Sequence, residues 1–197
     1  MEAIWSTSTP SVESSPAWVE SMGGPLLAVP VSVLSEWGGC TAAGTIAGTG
    51  DALDDYDRAC EVDGLAGVIA IGSSGRQGLV LADEPARTCY LPEWRTFVRW
   101  LAADSEAELI NVAKSILDDP AADWAQCGIW ETDGPAVLID SVTPGTELTV
   151  AYPGEETMPD QAPIPTPAGR WAVRAVHTWA NEEAAVGLVQ LLPLPQN

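Results

Sequence analysis

Short runs of Val, Leu and Ile, each bounded by Gly or Pro, set the strongest limit on what this chain can become. Runs of this length suit strands, and the Gly/Pro punctuation between them suits tight turns. Val68-Ile69-Ala70-Ile71 and Gly78-Leu79-Val80-Leu81 predict a hairpin across Gly72–Gln77. Trp18–Met22, the turn Gly23-Gly24-Pro25 and Leu26–Val29 predict another, with glycine supplying positive φ and proline opening the return strand. Cys127–Thr132 and Pro135–Ile139 flank an Asp133-Gly134 turn and predict a third. Arg170–Thr178 and Val186–Leu192 predict the last, and Glu147–Tyr152 reads as a further strand. Pro153–Pro167 carries five prolines and reads as an exposed loop.

Helical periodicity is confined to a few places. Ser105-Glu106-Ala107-Glu108 is a capping box, and Leu109, Val112, Ala113, Ile116 and Leu117 then form one stripe, with Pro120 beyond the end. Ahead of it, Pro92 suits a first helical position, and Trp94, Phe97, Val98 and Leu101 recur at i, i+3, i+4 and i+7. Val31–Trp37 reads as a short helix ended by Gly38-Gly39, and residues 41–55 as a loop. Residues 1–16 are Ser/Thr/Pro-rich and read as a disordered tail. The expected organisation is a single α+β domain over residues 17–197: a β-rich half at 17–90, two helices within 92–118, and a second β-rich half at 126–193. Glu20–Leu27 resembles Glu131–Val137, and Gly78–Leu81 resembles Gly187–Leu191. The halves therefore read either as a degenerate duplication or as hairpins that chose similar residues.

The chain carries 28 acidic residues against 8 basic ones, a net charge of −20, yet 46% of its residues are hydrophobic and nine are Trp. Such charge in a disordered chain would come with low hydrophobicity, so this is a folded acidic protein. The acids are spread through both halves, 13 in residues 1–98 and 15 in residues 99–197. Nucleic acid and anionic membrane are poor partners for such a surface, and a basic protein is a good one; solubility is the simpler explanation. No apolar run approaches the roughly 20 residues that span a bilayer, no signal-peptide layout opens the chain, and the four cysteines form no CxxC pair. These features imply a cytoplasmic protein with reduced thiols.

Residues suited to catalysis are sparse. The one histidine, His177, shares a strand face with Trp171, Val173 and Ala175, which reads as a core margin. Cys89 and Cys127 are the cysteines to consider as nucleophiles with His177 as base, which keeps a small cysteine-dependent enzyme open as an alternative. No zinc or calcium spacing is present, and no cofactor motif. The densest acidic stretch is 51–63. Within it Asp54, Asp55, Tyr56, Asp57, Glu61 and Asp63 form an aromatic with an acidic rim, a candidate docking surface for a cationic partner. A solvated helix face or loop is the plainer reading of the same residues.

Several short motifs occur in a familiar order: Trp18–Leu26, Trp37-Gly38-Gly39-Cys40, Asp55–Cys60, Asp83-Glu84-Pro85, Cys89-Tyr90-Leu91-Pro92 and Gly187–Leu191. Together, over about residues 17–193, they resemble the immunity protein 21 family of bacterial polymorphic-toxin systems. The resemblance implies a cytoplasmic antidote that binds a cognate toxin domain and blocks it, without catalysis. A basic nuclease is the toxin that so acidic an antidote would suit, and a non-catalytic accessory domain is the remaining alternative.

Overall fold

The computed structural model describes residues 15–41, 53–152, 154, 156–180 and 183–195. Eleven strands are present among them: β1 (Trp18–Val19), β2 (Leu26–Pro30), β3 (Gly67–Ile71), β4 (Arg76–Leu81), β5 (Thr88–Leu91), β6 (Thr96–Ala102), β7 (Ala125–Thr132), β8 (Ala136–Asp140), β9 (Gln161–Ile164), β10 (Gly169–Trp179) and β11 (Ala185–Pro193). They form a six-stranded sheet in the order β1-β5-β6-β11-β10-β7 and a five-stranded sheet in the order β3-β4-β2-β8-β9. Every pairing is antiparallel. The class is α+β, as the sequence implies.

Both faces of both sheets are covered, at least in part. Leu26 and Ala28 of β2, Leu79 and Leu81 of β4 and Leu138 of β8 meet Phe97, Trp130, Val173, Val189 and Leu191 of the six-stranded sheet in one core. The alternate residues Leu27, Val29, Val80 and Ile139 face the other way, onto Val33, Trp37 and Ala59. On the far side of the six-stranded sheet, Cys89, Val98, Val186 and Leu188 meet Leu109, Ala113 and Ile116 of a helix. The result is four layers. Each fully buried Leu or Val in them contributes about 1.5–3 kcal/mol.

The helix Glu106–Leu117 forms where its capping box predicts. Ser105 Oγ accepts from Glu108 N at 3.2 Å, and Glu108 returns a carboxylate oxygen to the backbone N–H of Asp104 at 3.0 Å. Val31–Glu36 is a 3-10 helix, close to its expected span. Gly39 follows at φ +62, and a Cβ there would meet the Val142 carbonyl oxygen at 2.5 Å. The hairpins β3–β4 and β10–β11 form as predicted.

Five expectations are corrected. The predicted helix from Pro92 is a turn, with Arg95 at φ +48, followed by strand β6. Phe97 points into the core between the sheets and Val98 outward beneath the 106–117 helix, so a strand buried on both faces imitates helical spacing. The segments around Gly23-Gly24 and Asp133-Gly134 are turns, but not within hairpins. β1 pairs with β5 and β7 with β10, whereas β2 and β8 pair with each other in the opposite sheet. Glu147–Tyr152 is not a strand; Gly145–Glu147 is a 3-10 turn. Within the proline-rich segment, Gln161–Ile164 forms β9, an edge strand where Pro163 lacks no ladder donor that the sheet requires. The predicted loop at 41–55 and tail at 1–16 fall largely outside the described residues.

The two turns that cross between sheets are alike in detail. Ser21 Oγ donates to Gly24 O at 2.6 Å and accepts from Gly23 N at 3.0 Å. Thr132 Oγ1 donates to Gly134 O at 2.7 Å and accepts from Gly134 N at 3.3 Å. Each leads from an edge of the six-stranded sheet to the centre of the other, so the similarity of 20–27 to 131–137 falls on corresponding places. The similarity of β4 to β11 does not, because these strands belong to different sheets.

Close packing separates two glycines sharply. A Cβ on Gly145 would overlap the Leu34 carbonyl oxygen, whereas one on Gly134 meets nothing within 4 Å. Gly145→Ala is expected to lower unfolding free energy by about 1–3 kcal/mol, and Gly134→Ala to change it by less than about 0.5 kcal/mol. Urea denaturation of the two variants checks both.

Candidate functional site

The acidic stretch folds into a short helix, α1 (Asp55–Cys60), and most of its first turn is occupied in holding itself together. Asp54 is the N-cap, accepting from Asp57 N at 2.8 Å and from Thr41 N at 2.7 Å. Burial pushes its carboxyl up, but the backbone donors of Thr41 and Asp57 outweigh it and hold the group below its ordinary value. Asp55 accepts from Gly38 N at 2.7 Å and pairs with Arg58. Tyr56 lies half-buried with its ring against Gly24, where a Cβ would come within 2.6 Å of it. Its hydroxyl is pushed up to about 12, first by its hydrogen bond with Cys60 and then by burial. Asp57 is half-buried, and Glu61 and Asp63 are exposed. Three of the six residues therefore have structural employment, and three face outward in some degree.

A second constellation lies at one end of the sheet sandwich. Thr88, Arg99, Gly187 and His177 stand in register across β5, β6, β11 and β10. Arg99 is fully buried, and its guanidinium donates to the carbonyls of Ala82 and Glu84, closing the β4–β5 connection over the end of the sandwich. Its Nε has no hydrogen-bond partner among the described residues. Burial pulls the guanidinium down to about 10, against the opposing pull of Asp83 and Glu84. The imidazole of His177 lies over Gly187, whose missing Cβ would meet it at 2.7 Å.

His177 is engaged on both ring nitrogens. Nδ1 lies 2.9 Å from Asp83 and Nε2 lies 3.3 Å from the Arg99 guanidinium. Arginine can only donate, so Nε2 accepts and the proton sits on Nδ1, directed at the Asp83 carboxylate. Burial and the neighbouring Arg99 charge lower the imidazole pKa against the pull of Asp83. Asp83 itself adopts φ +67, a left-handed conformation uncommon outside glycine. Two residues beyond His177 on the same strand face stands Trp179, 65% exposed. It is the one exposed tryptophan among the described residues. Sequence reasoning placed His177 at a core margin but did not follow that face on to Trp179. Nor could it foresee Arg99, buried in a strand that reads as helix.

Neither candidate thiol joins this group. Cys89 points to the opposite face of the sheet, beneath the 106–117 helix, and burial pushes its thiol up to about 12. Cys127 packs at the edge of the inter-sheet core with its sulfur toward the Ala125 carbonyl, and burial raises its pKa as well. Such thiols are poor nucleophiles. Among the described residues no group of three or more His, Cys, Asp or Glu side chains is arranged to hold a metal ion, and no helix is long and apolar enough to cross a membrane.

Residues 17–184 match the family described as Immunity protein 21, and the chain belongs to that family. This is an immunity-protein family of toxin systems, so a role in neutralising a partner toxin accompanies the membership. Neither a curated protein nor a solved structure matches the chain.

Two measurements follow from this geometry. The folded-state pKa of His177 lies below its unfolded value, so the stability it contributes is present above about pH 6.5 and is lost as pH falls through the lowered folded value. His177→Gln is expected to flatten the change in urea midpoint between about pH 7.5 and 5. A thiol-reactive chromophore should label the exposed Cys60 in the native protein and reach Cys89 only after unfolding.

Proposed function

We propose that this chain is a non-catalytic cytoplasmic antidote that binds a basic toxin domain, a nuclease by class, and covers its active site. The observation that carries the reading is the −20 charge in a protein of the Immunity protein 21 family. A nuclease cleft is cationic because it must hold phosphate, and an acidic protein surface competes for the same site. Electrostatic attraction also speeds capture, which an antidote needs before the toxin acts. The same charge argues against nucleic acid or an anionic membrane as partner.

Within the 54–63 segment the work divides. Asp54, Asp55 and Tyr56 hold α1 against the 38–41 loop and Gly24, and Asp57, Glu61 and Asp63 are the groups offered to the partner.

The association rate with the catalytically inactivated toxin domain from the adjacent reading frame is expected to fall about tenfold or more between about 50 and 500 mM salt. The triple variant Asp57→Asn, Glu61→Gln, Asp63→Asn should slow association at the lower salt concentration and match the wild type at the higher one. Association indifferent to ionic strength sinks the electrostatic reading.

A further inference from the structure

We propose that Trp179, at the same end of the sandwich as the Asp83-Glu84 connection that His177 and Arg99 hold, is the contact surface that retains the toxin domain after capture, through an arginine or lysine of that partner. The inference rests on the reading given under Proposed function and adds to it the location of the short-range contact.

The first ground is the cost of the surroundings. A buried arginine whose hydrogen bonds go to backbone carbonyls and a histidine, with one nitrogen unpaired, is a poor means of gaining stability. What it does achieve is specific. It holds the Ala82–Glu84 backbone from inside at two carbonyls, while His177 holds the Asp83 side chain from β10, which β11 separates from β6. Asp83 is thereby kept at φ +67, a left-handed conformation that aspartate adopts more readily than most residues. Asp83 and Glu84 are nevertheless exposed, so the apparatus fixes the Asp83 carboxylate and the Glu84 backbone at a place that faces solvent. A carboxylate immobilised in advance, as that of Asp83 is, loses little conformational freedom on binding.

The second ground is independent of the first. Trp179 stands at the tip of the β10–β11 hairpin, closed by the Ala180 N–H to Ala184 carbonyl bond of 2.9 Å, and remains 65% exposed. Trp37, Trp130 and Trp171 are buried, and Trp18, Trp100 and Trp124 each receive an arginine guanidinium at 4.2–5.7 Å. The fold thus already pairs tryptophan with arginine from within, while Trp179 has no such partner among the described residues. Tryptophan is the best aromatic acceptor of a cation and is enriched among residues that dominate binding. An exposed indole, two residues along the strand from the histidine that holds the Asp83 carboxylate, complements a cationic side chain of a basic protein.

The test compares wild type, Trp179→Ala and the double variant Asp83→Asn, Glu84→Gln for binding to the inactivated toxin domain from the adjacent reading frame. Trp179 is largely exposed, so its variant should keep the wild-type melting temperature. Trp179→Ala is expected to raise the dissociation rate about 30-fold or more while leaving the association rate within about twofold. The double variant should raise dissociation in the same direction. Wild-type binding that Trp179→Ala leaves unchanged overturns this surface and leaves the parent reading standing. No binding by the wild type overturns both. A Trp179-dependent dimer of this chain in sedimentation assigns the surface to self-association and overturns the proposal.

Discussion

The structure depends on sheets that are apolar on both faces. β2 is buried along its whole length, Leu26 and Ala28 against one sheet and Leu27 and Val29 against helical turns. A strand of that kind belongs at the centre of a covered sheet, because at an exposed position it would leave half its side chains in water. β8 has the same character and is its neighbour, and together they form the middle of the five-stranded sheet. The second sheet, the helix at 106–117 and the short helices at 31–36 and 55–60 then supply the three apolar surfaces that these strands and their partners require.

That demand explains why local turn chemistry and strand partnership part company. Gly23-Gly24 and Asp133-Gly134 do turn the chain, and each turn is bridged by a hydroxyl, from Ser21 or Thr132. Neither turn decides which strand lies next door. After each one the chain leaves one sheet for the other, so that β1 and β7 occupy edges while β2 and β8 are enclosed. The edges have short or half-exposed strands, and the centres have the fully apolar ones. Burial, summed over many residues, outweighs the few kcal/mol by which a turn favours a hairpin.

The same competition shapes the charged groups. In α1 the first two aspartates serve the helix cap and the neighbouring loop, which reduces the part of that segment available to a partner. At the other constellation a buried arginine, a histidine with both nitrogens engaged and a left-handed aspartate fix a connection that would otherwise be a simple surface loop. Family membership and the −20 charge give these groups a context: for the basic partner proposed above, an Asp83 carboxylate held in place loses little freedom on binding.

Local chemistry was legible in the residues themselves. The Ser105–Glu108 capping box, the hairpins at 67–81 and 169–193, and the acidic, folded character of the chain all follow from short-range propensity and composition, which need no knowledge of distant contacts. The family resemblance was legible in the order of its motifs. Long-range burial decided the rest. Phe97 and Val98 read as helix because spacing alone cannot distinguish a helical stripe from a strand covered on both faces. Arg99 was hidden in that same stretch, and its carbonyl partners lie on a connection 15–17 residues away. Trp179 could be placed on the face of His177 by alternation, but its exposure at the same end as a held Asp83 carboxylate is a property of the packed sheets, which bring β6, β10 and the 82–84 connection together.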